Sequence, residues 1–132
     1  MTWTNEFNVE VRLLDMQHKK LFGLMERLRV GALGNSKSNT INEIVLALTQ
    51  YTEAHFLSEE RLMLQSGYLD YERHKLVHDS MVSKVQRYQT MLVNGDSRIT
   101  EELHTYLVSW WTNHILGTDK KYCSHFATNG IR

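Results

Sequence analysis

The stretch that most constrains this chain carries two pairs of polar residues, each pair spaced by four positions. His55 and Glu59 form the first pair, and His74 and His78 form the second. Because residues four apart on an α-helix lie on the same face, each pair points both side chains in one direction. Gly67 lies between the pairs and predicts a break between two helices. A short connection makes these helices antiparallel neighbours, so both pairs can face one interior.

Periodic apolar residues predict a helix that precedes this stretch. Between residues 21 and 28 they recur at intervals of three and four, which is the helical period. The helix is expected to begin near Asp15, whose carboxylate can cap the free amides of the first turn. Gly31 and Gly34 predict its end, and residues 35–39 are expected to form a polar loop.

Three further helices follow, each with a start or stop signal of its own. A capping box at Thr40–Glu43 opens the second helix, which can run to Gln65. The third helix is expected to span about residues 70–93. Thr100 is expected to cap the fourth helix, and the two acidic residues after it suit the positive end of the helix dipole. Gly117 marks the end of the fourth helix.

The two ends of the chain differ from the helical body. Residues 1–13 alternate only weakly between apolar and polar, so we expect an extended arm anchored by Trp3 and Phe7. A short helical segment from Asp119 to Phe126 is expected after the fourth helix. The sequence therefore predicts an all-α fold: an up-down-up-down four-helix bundle with an extended N-terminal arm and a short C-terminal helical segment. One domain is expected to cover residues 1–132.

Composition narrows the class of protein. Fifteen basic residues balance fifteen acidic ones, so net charge gives no reason to expect nucleic acid or an anionic membrane as a partner. No apolar run is long enough to insert in a membrane, and the N-terminus lacks the pattern of a secretory signal. A single cysteine, Cys123, excludes an internal disulfide and fits a reducing compartment. These features predict a soluble cytoplasmic protein.

Seven ionisable residues fall in or beside the apolar stripes of the predicted helices. Burying each one in ionised form without compensation would cost several kcal/mol, against a total stability of roughly 5–15 kcal/mol. A bound cation resolves this cost, because carboxylates and neutral imidazoles then become ligands. Seven ligands exceed the usual shell of one first-row ion, so two ions fit better, with the two carboxylates as bridges. The seven residues are His18, His55, Glu59, His74, His78, His114 and Asp119.

The last two of these residues predict an irregular helix. His114 and Asp119 are five positions apart, which leaves them about 140° out of line on a regular helix. Gly117 lies between them and can break the helical geometry, so that Asp119 returns to the site. We therefore expect a distortion or a helix end near residue 117.

The ordered motifs of the chain resemble those of a known family. They are Trp3…Phe7, Asp15-Met16-Gln17-His18-Lys19-Lys20-Leu21-Phe22, His55-Phe56-x-x-Glu59-Glu60-x-x-Met63, Gly67-Tyr68, His74-x-x-x-His78-Asp79 and His114-Ile115-x-x-x-Asp119-Lys120-Lys121-Tyr122. This set covers nearly the whole chain and is similar to the hemerythrin family, above all to its single-domain bacteriohemerythrins.

The resemblance implies a pair of iron ions, Fe²⁺ or Fe³⁺, with unequal ligand sets. His74, His78 and His114 would hold one iron, which has no open position. His18 and His55 would hold the other iron and leave one position open.

The resemblance also implies what lies between and around the irons. Glu59 and Asp119 would bridge them beside an oxo or hydroxo group. Tyr122 and Gln17 are expected to contact the ligands.

The function implied by the resemblance is reversible binding of dioxygen, for transport, storage or delivery to an oxygen-consuming enzyme. An apolar pocket would exclude water from the open position, and its expected lining is Leu116, Trp110, Phe22 and Phe56. A reductase is a further expected partner, and a monomer is the expected state. No side chain beyond the ligands is expected to be catalytic.

Other interpretations stay open on the residues alone. The same site could serve a di-iron peroxidase, an oxidase or a nitric-oxide-handling enzyme, or an oxygen or iron sensor. Zinc or manganese could also take these ligands. The pair Glu101 and His104 matches half of a ferritin-type signature but lacks a partner in another helix. Cys123 and His125 are interpreted as a packing residue and a surface imidazole rather than as an accessory site.

Two positions depart from the family pattern outside the expected metal site. Members often have Val-Gly-Val where this chain has Val9-Glu10-Val11, and often have proline where Leu69 stands. These departures concern only the conformation of the arm and of one loop.

Overall fold

The computed structural model describes residues 2–34, 37–96 and 98–132, apart from the side chain of Ser38. This part of the chain contains helices and no strand. The all-α prediction is confirmed, with four long helices and a short one near the C-terminus. They are α1 (Arg12–Leu33), α2 (Ser38–Ser66), α3 (Tyr71–Val93), α4 (Ile99–Asn113) and α5 (Cys123–Thr128).

The four long helices enclose one core. Helix α1 packs against α2 and α4, and α3 packs against the same two helices, so the bundle closes on itself. The spacing of apolar residues explains this arrangement, because Leu14, Leu21, Met25 and Leu28 lie on one face of α1 and are fully buried. Burying a side chain of this size contributes about 1.5–3 kcal/mol.

Helix α1 begins three residues earlier than the sequence predicts. It begins at Arg12, and the Asp15 carboxylate does not cap it. Asp15 instead accepts a hydrogen bond from the Val9 amide at 2.8 Å, which holds the arm against the helix. Gly31 lies inside the helix, which ends immediately before Gly34.

The predicted caps of two later helices are also wrong. Helix α2 begins at Ser38, so Thr40 already lies in its first turn and no capping box starts at that residue. Helix α4 begins at Ile99, and Thr100 is buried within it rather than placed before it. Residues 35 and 36 of the predicted polar loop lie outside the described residues. The predicted stop at Gly67 is confirmed, because this glycine follows α2 with a φ of +70°.

The N-terminal arm lies against α1 through aromatic rings. Its only helical turn is a 3₁₀ turn, Asn5–Phe7. The rings of Trp3 and Phe7 lie 5.3 Å and 5.0 Å from that of Phe22, as measured between ring centroids. The predicted anchors of the arm, Trp3 and Phe7, therefore contact the helical body.

The chain changes helical geometry after α4. His114–Thr118 forms a π-helical turn, and Asp119–Tyr122 forms a 3₁₀ turn that leads into α5. The Asp119 amide donates to the carbonyl of His114, five residues back, which is the hydrogen bond of a π-helix. The predicted distortion near residue 117 is therefore observed.

None of the helices in the described part of the chain is both long enough and apolar enough to cross a membrane.

Candidate metal centre

Seven ionisable side chains from α1, α2, α3 and the π-helical and 3₁₀ turns after α4 converge inside the bundle. Each is at most 3% exposed to solvent. They are the residues that the sequence singles out: His18, His55, Glu59, His74, His78, His114 and Asp119.

The seven side chains form two overlapping groups. The larger group has three imidazoles and both carboxylates, and the smaller group has two imidazoles and the same two carboxylates. Within each group the ligand atoms lie within 4.8 Å of one another. Because Glu59 and Asp119 belong to both groups, the geometry suits two cations that share two bridging carboxylates.

Asp119 directs its two oxygens towards different imidazoles. Its Oδ1 lies 2.9 Å from His114 Nε2 and 3.1 Å from His74 Nε2. Its Oδ2 lies 3.3 Å from His18 Nε2, on the other side of the site. The π-helical turn makes this possible, because residues five apart then lie on the same face of the helix.

Glu59 also faces both groups. Its Oε1 lies 3.2 Å from His78 Nε2 and 3.5 Å from His55 Nε2. Its Oε2 accepts a hydrogen bond from the hydroxyl of Tyr122 at 2.6 Å and lies 3.8 Å from His18 Nε2. The spacing of four residues in α2 brings Glu59 under His55, and the same spacing in α3 brings His74 and His78 together.

Several buried ligand atoms have no hydrogen-bond partner. Buried polar atoms in folded proteins are almost always paired, and each unpaired one costs about 1–3 kcal/mol. A cluster of unpaired nitrogens and carboxylate oxygens on facing side chains is therefore the pattern of a cation site. The unpaired ligand atoms that point to it are His18 Nε2, His55 Nε2, His74 Nε2, Glu59 Oε1, Asp119 Oδ1 and Asp119 Oδ2.

Two imidazole nitrogens also face each other. Nε2 of His78 and Nε2 of His114 are 3.1 Å apart. Two neutral imidazoles cannot both donate and accept there without the correct tautomers, whereas neighbouring ligands of one ion adopt this spacing. The donor set of nitrogen and carboxylate oxygen suits iron, and it also suits zinc and manganese.

The charges of the protein side chains favour a cation at the centre of the cluster. Burial favours the neutral carboxyl groups, but the surrounding imidazoles outweigh it: the pKa of Glu59 falls to about 2, and that of Asp119 falls well below its usual value. Burial likewise opposes protonation of His78, yet its hydrogen bonds to Glu59 and Glu60 raise its pKa to about 9. Burial lowers the pKa of His55 to about 3. Both carboxylates are therefore ionised and available to bind a cation.

Other side chains orient the ligands. Gln17 Oε1 lies 2.6 Å from His55 Nδ1, and the Gln17 amide nitrogen donates to Ser58. Gln17 and Tyr122 thus contact His55 and Glu59, two of the seven clustered residues. The sequence did not single out Glu60, whose Oε2 lies 2.8 Å from His78 Nδ1. Its spacing of four from Phe56, which places it on the inner side of α2, was the available signal.

The four residues predicted to line an apolar pocket lie in different surroundings. Phe56 stacks on His78 with 3.7 Å between ring centroids, and Trp110 stacks on His114 at 4.2 Å. Leu116 is partly buried and packs against the core. Phe22 lies with the rings of the arm, and within the described chain none of its ring contacts is with an imidazole of the site.

Two fully buried residues beside members of the cluster, Trp111 and Ile115, were not predicted as lining. The ring of Trp111 lies 5.7 Å from that of His55 and 6.0 Å from that of His18. Ile115 follows His114 directly and is completely buried. Trp111 lies about one turn before the π-helical turn, and Ile115 lies within it.

Comparison with known proteins agrees with this class of fold and site, a helical bundle with a binuclear metal centre. Residues 9–125 match the family model described as "Hemerythrin HHE cation binding domain". A bacteriohemerythrin from Methylococcus capsulatus is 34% identical over 92% of this chain and 93% of its own. A myohemerythrin from Theromyzon tessulatum is 30% identical over 91% of this chain and 88% of its own.

A solved structure gives the same result. The crystal structure of a wild-type hemerythrin superposes with a TM-score of 0.90 at 32% identity, covering 96% of this chain and 98% of its own. The chain belongs to the hemerythrin family.

Proposed function

We propose that this protein is a non-haem di-iron protein that binds dioxygen reversibly, through one hemerythrin-like domain over residues 1–132. Hemerythrins bind dioxygen at a di-iron centre, and the chain belongs to that family. The observation that carries the proposal is the cluster of seven buried ligand side chains, most of whose inward-facing atoms have no hydrogen-bond partner.

The ligands divide unequally between the two irons. His74, His78 and His114 would hold one iron, and His18 and His55 would hold the other. Glu59 and Asp119, which belong to both groups, would bring the protein ligands to five for one iron and four for the other. When bound, the two irons supply the electrons that dioxygen takes up and returns. The side with fewer protein ligands is the one with room for a small molecule.

The side chains around the cluster exclude water from it and hold Glu59 in position. Phe56 and Trp111 cover it with aromatic rings, which exclude water and the protons that water would bring. Tyr122 is fully buried, and its hydroxyl proton stays on its own oxygen: burial and the neighbouring carboxylates raise the pKa of Tyr122 well above its usual value. It therefore holds Glu59 in place as a hydrogen-bond donor.

A spectroscopic titration tests the proposal. Purified protein is analysed for metals, reduced without air and exposed to dioxygen, and its visible spectrum is followed through repeated removal of the gas. Two irons per chain and a spectrum that reverses over several cycles are expected. Protein that holds two irons but oxidises at once without reversal, or that turns over peroxide, would instead favour the enzyme class.

The physiological setting is a further part of the proposal. Transport, storage or delivery to an oxygen-consuming enzyme would each suit a monomeric cytoplasmic protein, with a reductase to restore the ferrous state. Balanced charge and a single cysteine support this setting.

A further inference from the structure

Trp111 carries a buried polar group that the protein itself does not satisfy. The side chain is completely buried, and its indole Nε1 has no hydrogen-bond partner among the residues that the structure describes. The indole N–H can only donate. An unpaired buried donor costs about 1–3 kcal/mol, so its retention in the centre of the bundle requires an explanation.

The surroundings of Trp111 locate this donor beside the smaller ligand group. Its ring centroid lies 5.7 Å from that of His55, 6.0 Å from that of His18 and 6.2 Å from that of His114. Its remaining ring neighbours, Phe56 and Trp110, have no oxygen to accept a hydrogen bond. An acceptor for the N–H would therefore have to come from outside the chain.

Other side chains that contact the cluster already have partners. The hydroxyl of Tyr122 donates to Glu59, and the Tyr122 ring stacks against that of His74. The Nδ1 atoms of His55 and His78 also have partners, in Gln17 and Glu60. Among the site imidazoles with a ring contact to Trp111, those of His55 and His18 lie nearer than that of His114, which belongs to the larger group.

We propose that Trp111 is a specificity-determining residue that donates an indole hydrogen bond to the small ligand taken up beside His18 and His55. The ligand class is a diatomic or triatomic molecule whose terminal oxygen or nitrogen can accept a hydrogen bond. This inference rests on the proposed function, since it assumes a metal-bound site with room for such a ligand. It adds a polar contact to a pocket that is otherwise lined by apolar groups.

The test compares the dissociation constant of azide for the diferric protein in wild type and in Trp111→Phe, which keeps an aromatic ring but removes the N–H. Trp3→Phe is the matched control, because it removes the same group from the arm. We expect azide to bind about tenfold more weakly to Trp111→Phe, as the loss of one hydrogen bond to an anion would produce, and unchanged to Trp3→Phe. Dioxygen should also dissociate faster from the variant.

A second readout does not depend on the variant. In wild-type protein labelled with [¹⁵N]tryptophan, the Trp111 indole N–H signal should move to a hydrogen-bonded position when azide is added. An unmoved signal, or equal azide affinity in wild type and Trp111→Phe, would overturn the inference and would indicate that the N–H rests on the face of the Trp110 ring.

The two proposals fail in different ways. If wild-type protein holds two irons and releases dioxygen reversibly while Trp111→Phe is unchanged, only the role of Trp111 is lost. If wild-type protein binds azide but no dioxygen reversibly, the proposed function is lost and the azide comparison still decides the role of Trp111.

Discussion

Glu10 has a backbone conformation that suits glycine. Its φ is +63°, in the left-handed region, where a non-glycine residue pays roughly 1–2 kcal/mol. The neighbours on either side, Val9 and Val11, are buried, and the Val9 amide is bound to Asp15, so the arm cannot relax without losing these contacts. The departure from the family's Val-Gly-Val pattern therefore stores strain at this residue.

We expect Glu10→Gly to stabilise the protein. Removing the Cβ relieves the strain, and the added freedom of the unfolded chain offsets part of the gain, so unfolding in urea should require about 0.5–1 kcal/mol more. Glu10→Ala is the control: it removes the carboxylate and keeps the Cβ, and should bring no such gain. Equal gains in both variants would trace the effect to the charge of Glu10 instead of its backbone.

A second prediction concerns Glu60 and the affinity for metal. Its carboxylate accepts from His78 Nδ1 and so fixes the ring with Nε2 towards the cluster. Glu60→Gln weakens this contact, and loss of such a partner typically reduces metal affinity about 10–100-fold. Competition with a chelator measures the change. Glu53→Gln removes an exposed carboxylate from the same helix and should leave the affinity unchanged.

At the residue level the sequence revealed ligands but not their orientation. Histidines and carboxylates on or beside apolar stripes are visible in the sequence, because the period of the helix identifies the buried face. The sequence does not show that Glu60 contacts His78 or that the indole N–H of Trp111 has no partner among the described residues. Both features depend on side-chain rotation and on how neighbouring helices pack. Phe22 illustrates the same limit: the resemblance implied that it lines the pocket, whereas its ring contacts Trp3 and Phe7 of the arm.

The π-helical turn His114–Thr118 is the element that assembles the last two ligands. The sequence predicted a distortion here and attributed it to the conformational freedom of Gly117. The structure differs on the cause, because positive φ values among the described glycines occur at residues 67, 95 and 130 and not at 117. The wider hydrogen-bond spacing of the π-helix, rather than a left-handed glycine, aligns residues five apart.

Two alanine substitutions separate these explanations. A Cβ at either Gly67 or Gly117 would meet no atom within 4 Å, so only the backbone conformation distinguishes the two sites. Gly67→Ala should lower the free energy of unfolding by about 1 kcal/mol, because its φ is +70°. Gly117→Ala should leave it unchanged or raise it by up to about 1 kcal/mol, with the metal content intact. A large loss of metal in Gly117→Ala would show that the π-helical turn needs the glycine.

The helices were predictable in number and order, and the start of α3, expected near residue 70, lies at Tyr71, but the starts of the other three were not predicted correctly. Apolar spacing fixed which segments lie against the core, and Gly67 fixed one end through its left-handed conformation. The three predicted starts were late because each relied on a capping side chain. In α1 the capping candidate, Asp15, instead binds the amide of Val9, a contact that depends on how the arm folds back.

For the whole molecule, the cluster couples folding to protons and metals. Without metal, His78 has a folded pKa of about 9 against an ordinary value of 6.5, so its contribution to stability is complete below pH 6.5 and is lost as the pH rises to about 9. His55 acts in the opposite sense. Its pKa of about 3 means that stability is lost as the pH falls from 6.5 towards 3.

We therefore expect metal removal to destabilise the protein most at alkaline pH. The metal-free form should lose stability between pH 6.5 and 9, while the metal-bound form keeps its stability because the ligands it needs are deprotonated there. Differential scanning calorimetry of both forms should show a Tm gap of about 10 °C or more that widens across this range. If the difference in Tm between the metal-bound and metal-free forms does not change with pH, protonation of His78 does not substitute for the metal ion.

The position of Asp119 has a consequence for biosynthesis. His18 lies near the beginning of the chain and Asp119 near its end, yet their side chains meet at 3.3 Å. A nascent chain that has not yet reached residue 119 contains only part of the smaller ligand group, even if its first three helices have already formed. Stable metal loading should therefore follow the emergence of residue 119 from the ribosome, because the smaller ligand group is complete only then.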